Sequence, residues 1–499
     1  MESHSTDVEK GSRSNPLSST RASQSVALQR TETHRKQHAE TVGARKPAKV
    51  PSYGLDIGGG KPFPEPLPAS SEYVVEFNNA SDPLHPQNWT IIRKVNASLI
   101  VGYATIVSSF GSSMWSSGAA DVARDFGVST EVTTLGLSFY VLGFATGPII
   151  WAPLSELRGR KLPMILGAFG LGVFEIGAAV GKDLQTVLIC RFFAGVFGAA
   201  ALTCGAAVVA DLFDNEQRGI AISIYSLAGF GGPFIAPTVG GFVTDSYLGW
   251  RWTQYLAATM AFSALAVNIF FLEETYPAAI LVTKAAKLRT VSKNWGVHAK
   301  QEEVEVDFKE LVQNNLSRPL RLLFMEPIVL LLSIYTAFIY GLLYVFLTAY
   351  PIAFQQIRGW NRGLGSTPML AMIIGELFAC GYLILQQPKY LVKLEANDNV
   401  NVPEWRLPPM VIGGILYSLG LFWFGWSAYR EDIHWIAPTL SGLFTGFGNY
   451  MIILQVQNYL LDAYLHFAAS AIAANSIARS IAGAVFPLFA TYMYHGMGV

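Results

Sequence analysis

The chain has 499 residues, of which 51% are hydrophobic and only 14% charged, with a mean hydropathy of +0.34 and no net charge. Soluble domains carry about 25% charged residues, so this composition belongs to a membrane protein. Neutrality speaks against a nucleic-acid partner, and no nucleophile–base pair, zinc-like cysteine spacing or phosphate loop points to an enzyme or a bound metal.

Residues 1–88 are rich in Ser, Thr, Pro and charge, carry Gly58-Gly59-Gly60, and read as a disordered tail. The first apolar run begins only near residue 95, too late for a cleavable signal peptide. Windows of about 20 apolar residues then mark membrane-spanning helices. They fall near 93–117, 130–152, 162–181, 184–210, 217–243 and 249–272, and again near 326–351, 364–387, 408–429, 434–459 and 467–492. An all-α membrane fold is expected, with a six-helix bundle over 89–272, a central loop over 273–325, and a five-helix bundle over 326–499.

Loop charge gives the orientation. With the tail inside, fifteen Lys and Arg residues fall in inside loops and six in outside loops, so the N-terminus is expected in the cytosol. The central loop splits into a basic half (Lys284, Lys287, Arg289, Lys293, Lys300) and an acidic half (Glu302, Glu303, Glu305, Asp307, Glu310). It reads as a solvated linker with a surface helix. Cys190, Cys204 and Cys380 all lie in apolar segments and read as small core residues.

Three features carry mechanism. After the second span, Glu156 sits among Arg158, Arg160 and Lys161, and Gly159 permits a tight turn. A carboxylate there either pairs with those cations or faces a helix N-terminus, and the alternative is a set of topology charges. In the fifth span, Ala228, Gly232, Ala236 and Gly240 recur every fourth residue, with Gly229, Pro233, Pro237 and Gly241 beside them. Such rows let helix backbones approach closely in a membrane. Ionisable groups within the bilayer cost about 2.5–3.5 kcal/mol on insertion scales, which singles out Glu175, Arg191, Glu376 and Arg479. The first span holds no acid between Lys94 and Asp121, so Glu175 and Glu376 are the candidate proton carriers, or else interhelical hydrogen-bonding residues.

The loop Ala152-Pro-Leu-Ser-Glu-Leu-Arg-Gly-Arg-Lys161 resembles the signature between spans two and three of the major facilitator superfamily, G-x-L-a-D-r-x-G-r-k. Ala152 stands at its first Gly, and Glu156 replaces its Asp. Residues 232–241 are similar to the fifth-span motif of fungal drug:proton antiporters, with Ala236 at the second Gly. Arg191, followed by Gly195 and Gly198, is similar to the fourth-span Arg signature linked to proton transfer. Asp82-Pro-Leu-His-Pro-Gln-Asn-Trp89, Glu274-Thr-Tyr-Pro277 and Gln457-Asn-Tyr-Leu-Leu-Asp-Ala-Tyr464 match the same family in order.

The resemblance implies two pseudo-symmetric bundles of twelve spans in all. The chain stops at His495-Gly-Met-Gly-Val499, where the connection to the twelfth should begin, so an apparently truncated second bundle is expected. It further implies proton-coupled export of small organic molecules by a monomer in contact with lipid. No cofactor is implied beyond the proton gradient. A dedicated polyamine or metabolite exporter is the alternative, and a non-transporting remnant or sensor a further one. The expected location is the plasma membrane, with the vacuolar membrane as the other choice. By analogy, Glu156, Arg158, Gly159, Arg160 and Lys161 are gating residues, and Gly232, Pro233, Pro237, Gly240 and Gly241 the antiporter motif. Arg191 with Glu175 or Glu376 would couple protons, and Tyr103, Tyr335, Tyr340, Asn449 and Gln457 would line the cavity.

Overall fold

A chain crossing lipid must satisfy its backbone polar groups internally, and the computed structural model does so with long helices. It describes residues 73–79, 81–303, 308–398, 402–464 and 467–497. The first bundle comprises α1 (Ile91–Met114), α2 (Thr130–Arg158), α3 (Lys161–Val180), α4 (Leu184–Leu212), α5 (Asn215–Asp245) and α6 (Arg251–Phe271). Two helices occupy the central loop, α7 (Pro277–Ser292) and α8 (Phe308–Met325). The second bundle follows with α9 (Pro327–Tyr350), α10 (Leu370–Ala396), α11 (Leu407–Ala428), α12 (Ile436–Ala463) and α13 (Ala468–Met497).

Among the described residues, ten stretches are long and apolar enough to cross a membrane, against the eleven expected. The difference is α12. It is 28 residues long and packs on α10 and α11, but Thr445, Asn449, Gln455 and Asp462 lower its hydropathy. Those polar side chains are buried within the protein rather than turned to lipid.

The bundles meet where α5 packs on α10 and α2 packs on α13. The ends of α2, α4 and α6 that meet the central loop define one face of the molecule, here the loop face. The opposite face carries the short helices Ala119–Phe126 and Arg362–Ser366.

The expected tail boundary at residue 88 lies too late. Residues 1–72 fall outside the described residues, but Val74–Val75 (β1) pairs in parallel with His298–Ala299 (β2) in the central loop. Val75, Ala299 and Ala285 of α7 form a small core there. The turn before α1 is held by Asp82, whose carboxylate accepts the backbone N–H of Asn78 (3.0 Å) and Leu84 (2.9 Å). Those donors keep its carboxyl below the usual carboxylate range. Polar and Pro-rich composition therefore hid a folded stretch held by a short strand pairing, a small apolar core and side-chain-to-backbone bonds.

Candidate transport site

The turn between α2 and α3 forms because Gly159 adopts φ +85°, a conformation that L side chains rarely take. The acid that organises this turn is Glu274, just beyond α6. Its carboxylate accepts the backbone N–H of Arg160 (2.8 Å) and Lys161 (3.1 Å) at the start of α3, and those of Thr275 and Tyr276. Charge and orphan donors meet there as the helix dipole favours. Arg160 reaches Asp211 of α4 at 2.9 Å and Ser155 at 2.8 Å, and lies over the Tyr276 ring. Lys161 donates to the Ile269 carbonyl at 3.1 Å, and Arg158 is exposed. Glu156 has its backbone carbonyl bonded by Gln301 at 2.8 Å, but its carboxylate forms no ion pair among the described residues. Sequence offered Glu156 as partner of these cations or of a helix N-terminus; here the Arg160 side chain pairs with Asp211, 51 residues away, and the N-terminus of α3 is met by Glu274, 113 residues from Lys161.

On α5 the two small-residue rows serve partly different neighbours. Ala228 and Gly232 lie against Gly102 and Ser109 of α1, Ala236 packs with Phe110 and Met114, and Gly240 faces Met114 and Ser117. The first row is thus the α1 contact, where backbones need to close in. In the second row, Gly229 lies near Thr105 and Leu202, while Gly241 abuts the backbone of Arg362 and Gly363 in the other bundle. Pro233 and Pro237 sit within a continuous helix, and Ser117 bonds the Pro237 carbonyl at 3.0 Å. A third face, not marked by any glycine row, carries Phe230 and Gly231 toward the second bundle.

Arg191 and Glu175 form an ion pair at 3.2 Å with both side chains 0% exposed. Arg191 also donates to the carbonyls of Gly111 (2.9 Å), Ser112 (3.0 Å) and Gly136 (3.2 Å), and to Gln254 (3.3 Å). Its guanidinium lies over Tyr140 and Trp115. Every one of these partners belongs to the first bundle. This pair closes a bundle core instead of facing the interface.

Glu376 of α10 is different. It is fully buried, and among the described residues neither carboxyl oxygen has a hydrogen-bond partner within ordinary geometry. Asn449 of α12 is its polar neighbour, the amide nearest to hydrogen bonding the carboxyl, and neither amide atom of Asn449 makes a bond of ordinary geometry among the described residues. A side chain added at Gly231 of α5 would meet the Glu376 carboxyl at 3.6 Å. One residue earlier, Phe230 faces Arg479 of α13, which also lies over Tyr340 at 4.8 Å. Two of the Arg479 nitrogens are buried and unpartnered. Tyr344 approaches Ser112 of α1 across the interface at 3.4 Å, and Tyr450 donates to the Ser223 carbonyl of α5. Glu376 and Asn449 thus lie together against α5, and Arg479 lies by Phe230 on the same helix.

Of the expected cavity residues, Tyr340 and Asn449 sit here, and Gln457 is half-buried further along α12. Tyr103 and Tyr335 do not. Tyr103 bonds Ser263 of α6 at 2.6 Å, and Tyr335 points to Gly414 of α11, each within its own bundle. The helical period explains both. Tyr335 is five positions from Tyr340, a rotation of about 140°, and Tyr103 is nine from Ser112, about 180°. Sequence reading had passed over Tyr450, Asp211 and the carboxylate of Glu274, since only the fold shows what they face.

The profile of the Major Facilitator Superfamily matches residues 101–487. The chain belongs to the major facilitator superfamily. It is 44% identical over 445 residues to the multidrug transporter FLU1 of Candida albicans, covering 89% of this chain and 73% of that one. It is also 44% identical to the multidrug transporter TPO1_2 of Candida glabrata, covering 89% and 76% of the two chains. Among solved structures, the xylose transporter XylE from E. coli superposes with a TM-score of 0.55 at 17% identity, covering 81% of this chain and 96% of that one. The chain is therefore a membrane transporter with the two-bundle facilitator fold.

In a facilitator the two bundles must part on one face at a time. On the face opposite the central loop they are joined by Arg362, which binds Asp121 with both terminal nitrogens (2.5 and 3.0 Å) and lies 3.8 Å from Asp245. Gly363 N–H donates to Asp245 at 3.2 Å, and Thr238 to the Ser366 carbonyl at 3.1 Å. Replacing Arg362 by Gln is expected to favour opening there. Labelling of Thr238→Cys by an impermeant maleimide should speed up by roughly tenfold, the shift that about 1.4 kcal/mol produces. An unchanged labelling rate would show that this junction does not hold the bundles together.

Proposed function

We propose that this facilitator exports small organic molecules in exchange for protons, with Glu376 as the group that carries the proton. The observation behind the reading is the buried, unpartnered Glu376 carboxyl, set against α5 between the two bundles. Ionising it there requires a counter-charge, and among the described residues Glu376 forms no ion pair. A proton, or a substrate donor reaching the same carboxyl, meets that need, which is how one site can serve both in turn.

Arg479 adds a buried cation over Phe230 and Tyr340, and Phe230, Tyr340 and Tyr450 supply aromatic walls. Such a site suits amphipathic molecules with a few polar groups. The relatives named as multidrug transporters support export of such compounds. Loop charge supports a cytosolic loop face, with Arg362 and its partners on the outside. The working unit is a monomer, the site being complete within one chain, and the plasma membrane is the proposed location.

Expression in a pump-deficient yeast tests the reading. Cells carrying the chain should accumulate less of a panel of lipophilic dyes, and an uncoupler should abolish the difference. Export persisting after the gradient is collapsed would rule out proton coupling; equal accumulation of every dye would rule out broad export.

A further inference from the structure

On the loop face, a cleft of about 410 Å³ separates α7 from the start of α1. One wall is a single face of α7, where Ile280, Lys284, Lys287, Leu288 and Val291 recur at helical spacing. The facing wall is Trp89 and Arg93. We propose that this cleft binds the headgroup of an anionic phospholipid from the adjoining leaflet.

Charge and polarity point to that occupant. Of the two acids lining the cleft, Glu273 is paired with Arg93, and Glu274 spends its oxygens on four backbone N–H groups. Lys284 donates to the Glu76 carbonyl at 3.0 Å and lies 3.9 Å from Asp82, so it is partly committed. Lys287 is exposed and forms no ion pair among the described residues. The lining thus carries three cations, Arg93, Lys284 and Lys287, against the two acids Glu273 and Glu274, a formal excess of one positive charge.

Around it the surface is apolar. Leu84, Leu288 and Val291 are exposed within the cleft, Val291 by 83%. Ile91 and Ile92 at the start of α1 and Phe270 and Phe271 at the end of α6 are exposed beside it, where those helices leave the bilayer. A soluble phosphate has no use for these side chains, whereas a phospholipid brings acyl chains to cover them and a negative head to meet the lysines. Anionic lipids are concentrated in cytosolic leaflets, the side proposed above for this face.

The test counts lipid retained by the purified full chain. Protein in mixed micelles of phosphatidylcholine and phosphatidylserine in equal amounts is examined by native mass spectrometry. Phosphatidylserine should be retained preferentially, and Lys287→Glu should reduce it about fivefold. Leu288→Glu should do the same through the apolar wall, while Lys393→Glu, an exposed cation at the end of α10, should change nothing. Soluble glycerophosphate in excess should not compete. Undiminished retention in Lys287→Glu, equal loss in Lys393→Glu, or displacement by glycerophosphate would each overturn the proposal. Retention is read without transport, so its failure is separate from failure of the export reading.

Discussion

Replacing Glu376 by Gln is expected to remove the pH-driven component of transport while leaving substrate exchange in place. Gln has nearly the same shape, so the contacts with Gly231 and Asn449 are retained. What it cannot do is release a proton. If about 3 kcal/mol of coupling passes through this carboxyl, as the several kcal/mol needed to bury an unpaired carboxylate suggest, the driven rate falls roughly hundredfold. Proteoliposomes separate the two components. An imposed pH gradient reads coupling, and counterflow of a dye between equal pH on both sides reads exchange alone. Glu376→Asp keeps an ionisable group and should retain part of the driven rate. A Gln variant that still responds to the gradient would move the proton elsewhere, with the Arg191-bound Glu175 the remaining intramembrane acid among the sequence candidates.

How legible these sites were in the sequence depended on whether their partners are local. The helices and the two bundles follow from apolar length alone, since lipid leaves the backbone one solution. The α5 rows were readable for the same reason, because a four-residue period on a helix names a face. Orientation within a helix was harder. Tyr335 and Tyr340 look equivalent as aromatic residues of one span, yet they face opposite neighbours, and Gly231 lay outside both glycine rows although it is the one that meets Glu376. Charged partners were hardest. Glu156 was read with the cations next to it in sequence, whereas Arg160 pairs with Asp211 and the turn is capped by Glu274. Arg362 meets Asp121 and Asp245 from the other bundle, a pairing that no spacing rule encodes.

The same lesson shifts the expected role of Arg191. An intramembrane arginine reads as a transport residue, but here all three nitrogens of its guanidinium are engaged inside the first bundle. Gly111 and Ser112 lie in the last turn of α1, where carbonyls lack intrahelical partners, so Arg191 completes that helix end as well as neutralising Glu175. Arg191→Leu leaves a buried carboxylate alone and strips those carbonyls. The expected cost is about 3–5 kcal/mol, a large share of the stability of a typical fold. Thermal melting in detergent should show a severe loss, with little protein reaching the membrane. Pairing it with Glu175→Leu removes the stranded charge, and melting should recover in part. Recovery stays incomplete because the carbonyls of Gly111, Ser112 and Gly136 still lack their donor. Arg191→Lys separates structure from coupling. It keeps the charge but gives up the planar fork that reaches five acceptors, so it should lower stability while the surviving protein keeps the pH profile of the wild type. A shifted profile with stability intact would instead place Arg191 in the proton path.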